Sequence, residues 1–449
     1  MLPPLDLRSD STHSPCTAAK ASGFGAQLYT RIMVDVAERK REVRALSQLA
    51  FDELGGAVGG IAKMHRAISD RIFSVVGFGI GSAQAPIKAL HDAISEGVYT
   101  AVSGTTSLAS EASSILDLPL ASPPSETAWG AGIIAAIQGL RGDTLEAEQP
   151  ALAEAMTLRV DGKYIAAEPS VLAETFPAPS ARLVVFLHGL MESEYAWRLG
   201  GRPSYGEQLG STYNCTPLHI RYNTGRHISE NARSFAALLA EIVDTWPVEV
   251  EEIAIVGHSM GGLVARSACH IAQTDHAPWA GKVRQVVCLG SPHFGAPLER
   301  LVHYASAGLT MLPETAPIGR FLRRRSNGIR DLRLGSLVDE DWSGRDKDAL
   351  RAAVCVEVPL LVGATHYFVS ATVTRSPRHP MGKLLGDGLV LTSSATGRTR
   401  SRRIGFEDSN GLHISPANHF TLLNNDVVYD KLRSWLNPIV ISNGELEIC

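Results

Sequence analysis

The chain has 449 residues, 45% of them hydrophobic and 20% charged, which suits one large or two ordinary globular domains and excludes a disordered or collagen-like chain. Its formal charge of −4 supplies no basic field for nucleic acid, and no apolar run approaches the roughly 18–20 residues that span a bilayer. The six cysteines, at 16, 215, 269, 288, 355 and 449, form no Cys-x-x-Cys pair, so reduced thiols are expected and no zinc ligand set is read.

The opening MLPPLDLRSDSTHSP lacks a basic segment followed by an apolar one, so no secretory leader is read there and a cytoplasmic location is expected. Residues 1–20 are polar and proline-containing and are expected to be disordered. Residues 21–155 read as a helical N-terminal region with a linker near 117–128. Ile61, Met64, Ile68, Ile72 and Val75 recur at helical spacing, and Ile87, Leu90, Ile94, Val98 and Val102 continue the pattern. Gly77, Gly79 and Gly81 resemble a nucleotide loop only in spacing: no strand precedes them, and close helix packing or a turn is the reading adopted. Peripheral membrane contact through an amphipathic helix is compatible with this region.

At residue 156 the texture changes. Thr157 to Val160, an Asp161-Gly162 turn and Lys163 to Ala166 read as a hairpin. Leu183 to Leu187, Pro217 to Tyr222, Ile253 to Val256, Val283 to Leu289 and Val358 to Val362 read as strands. Residues 229–245, Gly261 to Gln273 and a last stretch over 420–436 read as helices. Continuous apolar strands separated by helices imply a mostly parallel sheet covered on both faces.

The segment Gly257-His258-Ser259-Met260-Gly261 matches Gly-x-Ser-x-Gly, follows an apolar strand and opens a helix. That context pushes a serine hydroxyl out of the sheet on a strained turn, with glycines leaving room for the bend and a helix N-terminus behind it. Ser259 is therefore the candidate nucleophile. In this architecture the order along the chain is serine, acid, histidine. His419, directly before the last helix, is the candidate base, with His413 as the alternative. Asp387, in the turn Gly386-Asp387-Gly388, is the candidate acid, with Glu407 and Asp408 as alternatives. An oxyanion hole would use the backbone N–H groups of Met260, after the nucleophile, and Leu190, in the loop His188-Gly189-Leu190 after an early strand. His188 and His293 read as structural. The segment Arg221 to His227 is open between a pocket lining and a hydrogen-bonded turn.

Four segments together resemble the lipase-like serine hydrolases of the α/β-hydrolase superfamily, the group of triacylglycerol lipases and GPI inositol-deacylase-like proteins. They are His188-Gly189-Leu190, the Ser259 turn, Gly290-Ser291-Pro292-His293-Phe294-Gly295-Ala296-Pro297, and Asn418-His419-Phe420. The resemblance implies an α/β-hydrolase fold over residues 156–437, a mostly parallel sheet with helices on both faces. A cap insertion at about 298–345 and a tail over 438–449 complete the chain. It implies a serine carboxylic ester hydrolase acting through an acyl-enzyme, with no metal or organic cofactor and a small-molecule or lipid ester, such as a medium-chain ester, as substrate. Arg320, Arg323, Arg324 and Arg325 in the cap segment read as a solvated face. The rival readings are an acyltransferase or thioesterase with the same three side chains, and a catalytically silent binding or scaffold protein. Oligomeric state is not legible.

Overall fold

The computed structural model describes residues 37–46, 48, 122–296, 325–346, 355–376, 379–400 and 402–437. The expected disordered start, the glycine run at 77–81, the 438–449 tail and the cap segment up to residue 324 lie outside these residues.

Eight strands form one sheet: β1 (Thr157–Val160), β2 (Lys163–Ile165), β3 (Arg182–Leu187), β4 (Thr216–Arg221), β5 (Glu252–His258), β6 (Val283–Leu289), β7 (Thr365–Ala371) and β8 (Gly411–Ile414). Their spatial order is β2-β1-β4-β3-β5-β6-β7-β8. The hairpin β1–β2 closes on Asp161 (φ 48°) and Gly162 (φ 82°), and β1 runs antiparallel to both its neighbours. The Asp-Gly pair supplies the two left-handed residues that a two-residue hairpin turn requires. From β4 to β8 every pairing is parallel.

The alternation of side chains along the central strands divides the core into two layers. Val185, Leu187, Ile253, Ile255, Val286 and Cys288 face one side, where the helices α3 (Ile228–Thr245) and α4 (Met260–Thr274) bury Phe235, Leu239, Leu263 and Ala268 against them. Val184, Phe186, Val256, Val287, Leu289 and Val369 face the other. There they meet Tyr205 and Leu209 of α2 (Tyr205–Thr212) and Val428, Leu432 and Trp435 of α6 (Asp426–Leu436). Each fully buried Leu, Val or Phe stabilises the fold by about 1.5–3 kcal/mol relative to exposure, so this two-sided burial fixes the register of β3, β5 and β6. The strand order, the parallel pairing and the helices on both faces make this an α/β-hydrolase fold.

Two elements differ from the sequence reading. Val358 to Val362 is coil, and the strand that follows β6 in the sheet is β7, at Thr365–Ala371. Pro359 has no N–H for a ladder, and the Val358 carbonyl is taken by the buried Arg266 guanidinium at 2.9 Å. The closing helix is also two pieces, a 3-10 turn at His419–Leu423 and α6. Asn425 breaks them apart, because its side chain accepts from the amides of Val427 and Val428 and caps α6.

The helix α1 (Ala128–Glu148) lies against the sheet domain rather than apart from it. Asn223 Nδ2 donates to the Gly142 carbonyl at 2.9 Å, and Ser326 Oγ, just before α5 (Asn327–Leu332), donates to the Gly139 carbonyl at 2.6 Å. Among the described residues no helix is long and apolar enough to cross a membrane.

Candidate active site

Ser259 sits at the turn between β5 and α4 with φ 51° and ψ −117°, a conformation a non-glycine residue adopts only where its surroundings impose it. What imposes it is the close crossing of α4 over the strand ends. A Cβ on Gly261 would lie 2.3 Å from the Leu187 carbonyl oxygen, and one on Gly257 would lie 2.4 Å from the Gly262 nitrogen. Without side chains at these two positions, helix and strand approach closely enough to make the turn. The Ser259 amide bonds to the Leu289 carbonyl of β6 at 2.8 Å, and the residue is 8% exposed.

His419 and Asp387 come together at the same ends of the strands. Asp387 Oδ2 lies 2.7 Å from His419 Nδ1, and the His419 amide donates to the Asp387 carbonyl at 3.0 Å. The other carboxylate oxygen accepts from the amides of Leu389 (3.0 Å) and Val390 (2.7 Å), so the turn that carries Asp387 also satisfies it. His419 is held as the first residue of its turn by Asn418, whose side chain accepts from the Thr421 amide. The imidazole lies over Gly290, at the end of β6, where an added Cβ would be 3.2 Å from the ring. With Nδ1–H directed at the carboxylate, Nε2 keeps its lone pair. Burial opposes charge on this ring. The Asp387 carboxylate, through charge and hydrogen bond, and Glu192 beyond it outweigh burial and raise the imidazole above its ordinary 6.5.

Ser259 thus directly follows the strand that pairs with β6, which leads into the Gly290 turn, but among the described residues its hydroxyl makes no hydrogen bond to His419. The loop after β3 approaches it from the other side: a Cβ on Gly189 would lie 3.0 Å from Ser259 Cβ. In this loop the amides of Gly189, Met191 and Glu192 bond to Glu192 Oε2, Thr224 Oγ1 and the Gly189 carbonyl. The amides of Leu190 and Met260 have no such acceptor among the described residues. Met260 opens α4, whose first N–H groups lack intrahelical partners.

The alternatives lie elsewhere. His413 bonds to Ser370 on β7 and to Thr372 just after it, Asp408 pairs with Arg398 at the surface, and Glu407 is exposed. His188 bridges the Gly189 carbonyl and the Tyr222 amide and stacks on Tyr222, and burial lowers its pKa. His293 packs on Phe406 beside Arg266, with its pKa pushed well down by burial. Arg221 is locked by Glu194 and by the Ser125 carbonyl, and Asn223 by Gly142, so the 221–227 segment is a bonded turn. Among the described residues no cluster of His, Cys, Asp or Glu is arranged to hold a metal ion. The residue that sequence reasoning missed is Glu192, whose carboxylate contacts both the Gly189 amide and His258. The signal was an acidic residue three positions after the glycine of a loop whose amides need acceptors.

Residues 217–312 match the family model described as a PGAP1-like alpha/beta domain. Among curated proteins no relative matches. Solved structures similar to this chain include the mature lipase BlEst2 of Bacillus licheniformis, at 17% identity over 58% of this chain and 94% of that one, with a TM-score of 0.37. The naproxen esterase, carboxylesterase NP, of Bacillus subtilis is 14% identical over 57% of this chain and 84% of that one, with a TM-score of 0.31. The RedJ thioesterase of Streptomyces coelicolor is 20% identical over 57% and 90%, with a TM-score of 0.29.

Proposed function

We propose that the chain is a serine carboxylic ester hydrolase working through an acyl-enzyme. The observation that carries this reading is the strained Ser259 turn, with the buried Asp387–His419 pair at the same strand ends. In the reaction, Ser259 Oγ attacks the ester carbonyl carbon as its proton passes to His419 Nε2. The carbonyl oxygen becomes an oxyanion held by the Leu190 and Met260 amides, worth about 10²–10³ in rate for each donor. The C–O bond to the alcohol breaks and His419 returns the proton to the departing oxygen. Water then attacks the acyl-enzyme by the same route, with His419 as base, and releases the acid and free Ser259. Asp387 keeps the imidazole in the tautomer that leaves Nε2 unprotonated and stabilises its cation.

The substrate class proposed is a small-molecule or lipid-like ester of medium chain length, with contact at a membrane surface as one way of reaching it. Pre-steady-state hydrolysis of p-nitrophenyl esters of graded chain length tests the reading. A burst of one nitrophenol per chain, preferring medium chains and lost in Ser259→Ala, is expected. Folded protein with no burst on any chain length overturns it. Acyl product appearing on an added alcohol instead of water marks an acyltransferase.

A further inference from the structure

One buried pair at this site has no part in the proton transfers above. Glu192 lies in the loop after β3, and its side chain is 10% exposed. Its Oε2 accepts from the Gly189 amide at 2.7 Å and lies 3.0 Å from His258 Nδ1. The His258 ring is completely buried, and its other nitrogen, Nε2, lies 3.2 Å from the His419 backbone carbonyl. The two histidine rings are 4.7 Å apart. Three segments therefore meet through two side chains: the 189–190 amide loop, the residue before Ser259, and the backbone of His419.

Both partners of His258 are acceptors, a carboxylate oxygen and a carbonyl oxygen. An imidazole bonds to both only when both ring nitrogens carry hydrogen. A neutral ring would turn a lone pair toward one of the oxygens and break that link. Among the described residues the ionisable groups facing His258 are Glu192, from the loop after β3, and His419, from the loop before α6; Trp197 packs against it edge-on. Burial alone would push the Glu192 carboxyl up. The charge and hydrogen bond of His258, the Gly189 amide and the charge of His188 outweigh it, and the group sits below its ordinary value.

We propose that Glu192 and His258 are positioning residues, a buried ion pair that sets the Leu190 amide and the His419 ring in register with Ser259. The proposal rests on the reading of Ser259, His419 and the two amides as the reacting groups. Neither residue of the pair touches the reacting atoms. Their contribution is to hold three separate segments at one distance, and a displacement near 1 Å at such a site costs about 10²-fold in rate.

The test uses the full chain, the variant Glu192→Gln and a fluorophosphonate probe. The glutamine oxygen still accepts from Gly189 and from one His258 N–H, so the shape survives. The charge that keeps the second proton on His258 is gone, and with it the bond to His419. Expected are a fall of about 10²-fold in kcat and in the labelling rate of Ser259, with KM and Tm little changed. In ¹⁵N spectra of histidine-labelled protein at neutral pH, wild-type His258 is expected to be protonated on both nitrogens and the variant's on one. Wild-type rates in Glu192→Gln, or a neutral His258 ring in the wild type, overturn the proposal. The wild-type spectrum decides even if the variant does not fold. A wild type that neither labels at Ser259 nor hydrolyses esters overturns the reading of the site and this inference with it. A labelled wild type with an equally labelled variant overturns only the role of the pair.

Discussion

Asp387 does two jobs with two oxygens. One is consumed by the amides of its own turn, and the other faces His419. Asp387→Asn keeps the size but offers an N–H donor where an acceptor is needed, so the imidazole loses its tautomer. The ester hydrolysis rate is expected to fall by about 10³–10⁴-fold. The pH profile adds a sign. The carboxylate raises the imidazole, and the proposed mechanism needs the unprotonated ring, so wild-type activity is expected to climb with pH through a value above 6.5. Without the carboxylate the ring sheds its proton more readily, and the acid limb moves to lower pH. A pH–rate series on both proteins checks this; an acid limb that stays put would detach Asp387 from His419. At this scale the candidates that the sequence marks are those whose residue type is tied to a local pattern. Ser259 stands in a five-residue motif, His419 just before the last helix, and Asp387 between two glycines. Glu192 was not legible, because its partner His258 is 66 positions away and only folding brings them to 3.0 Å.

The elements that position the site are those with the least freedom. The helix α4 crosses the ends of β3 and β5 with backbone against backbone. Gly261→Ala places a methyl 2.3 Å from the Leu187 oxygen and 2.6 Å from that of His188. Neither is a flexible side chain, so the crossing itself must open. A loss of about 1–3 kcal/mol is expected, together with relaxation of the Ser259 turn. Urea midpoints and labelling rate measured on one preparation check both effects; an unchanged midpoint would mean that the crossing has slack. Strands buried on both faces, such as Leu183 to Leu187 and Val283 to Leu289, were legible as continuous apolar runs. The strand β7 was not. Its sequence, THYFVSA, mixes polar and apolar residues, and Thr365 at its start is exposed. The neighbouring VPLLV looked more strand-like, yet it buries Val358 and Leu361 as coil and leaves Val362 80% exposed. Composition alone does not separate a core coil from a core strand.

Across the whole molecule, the N-terminal segment is joined to the sheet domain by buried polar contacts. Glu42, on the helical residues 37–46, accepts from the amide and hydroxyl of Ser125, and the Ser125 carbonyl accepts from Arg221 at the end of β4. Burial raises the Glu42 carboxyl to about 7 from 4.5. The folded chain therefore holds this proton more tightly than the unfolded one. The associated stability is complete below about pH 4.5 and is lost as pH rises through about 7. Glu42→Gln is expected to remove this part of the pH dependence, so the difference in midpoint between variant and wild type widens from acid to neutral pH. Equal slopes across that range would show that Glu42 is not held in the folded contact. The stretch near 117–128 reads as a linker in the sequence, since a serine in a proline-rich stretch carries no mark of burial. From the sequence Arg221 is open between pocket and turn, because its carboxylate partner Glu194 lies 27 positions away in the 3-10 segment Glu194–Gly201.

On the proposed function, Ser259 is an activated nucleophile served by His419. The most direct measurement is fluorophosphonate labelling, with peptide mapping, of the wild type beside Ser259→Ala and His419→Ala. A single labelled peptide containing Ser259 is expected in the wild type, and no label on that peptide in either variant. A folded wild type that takes no label, or a label at Ser259 that persists in His419→Ala at the wild-type rate, would contradict it.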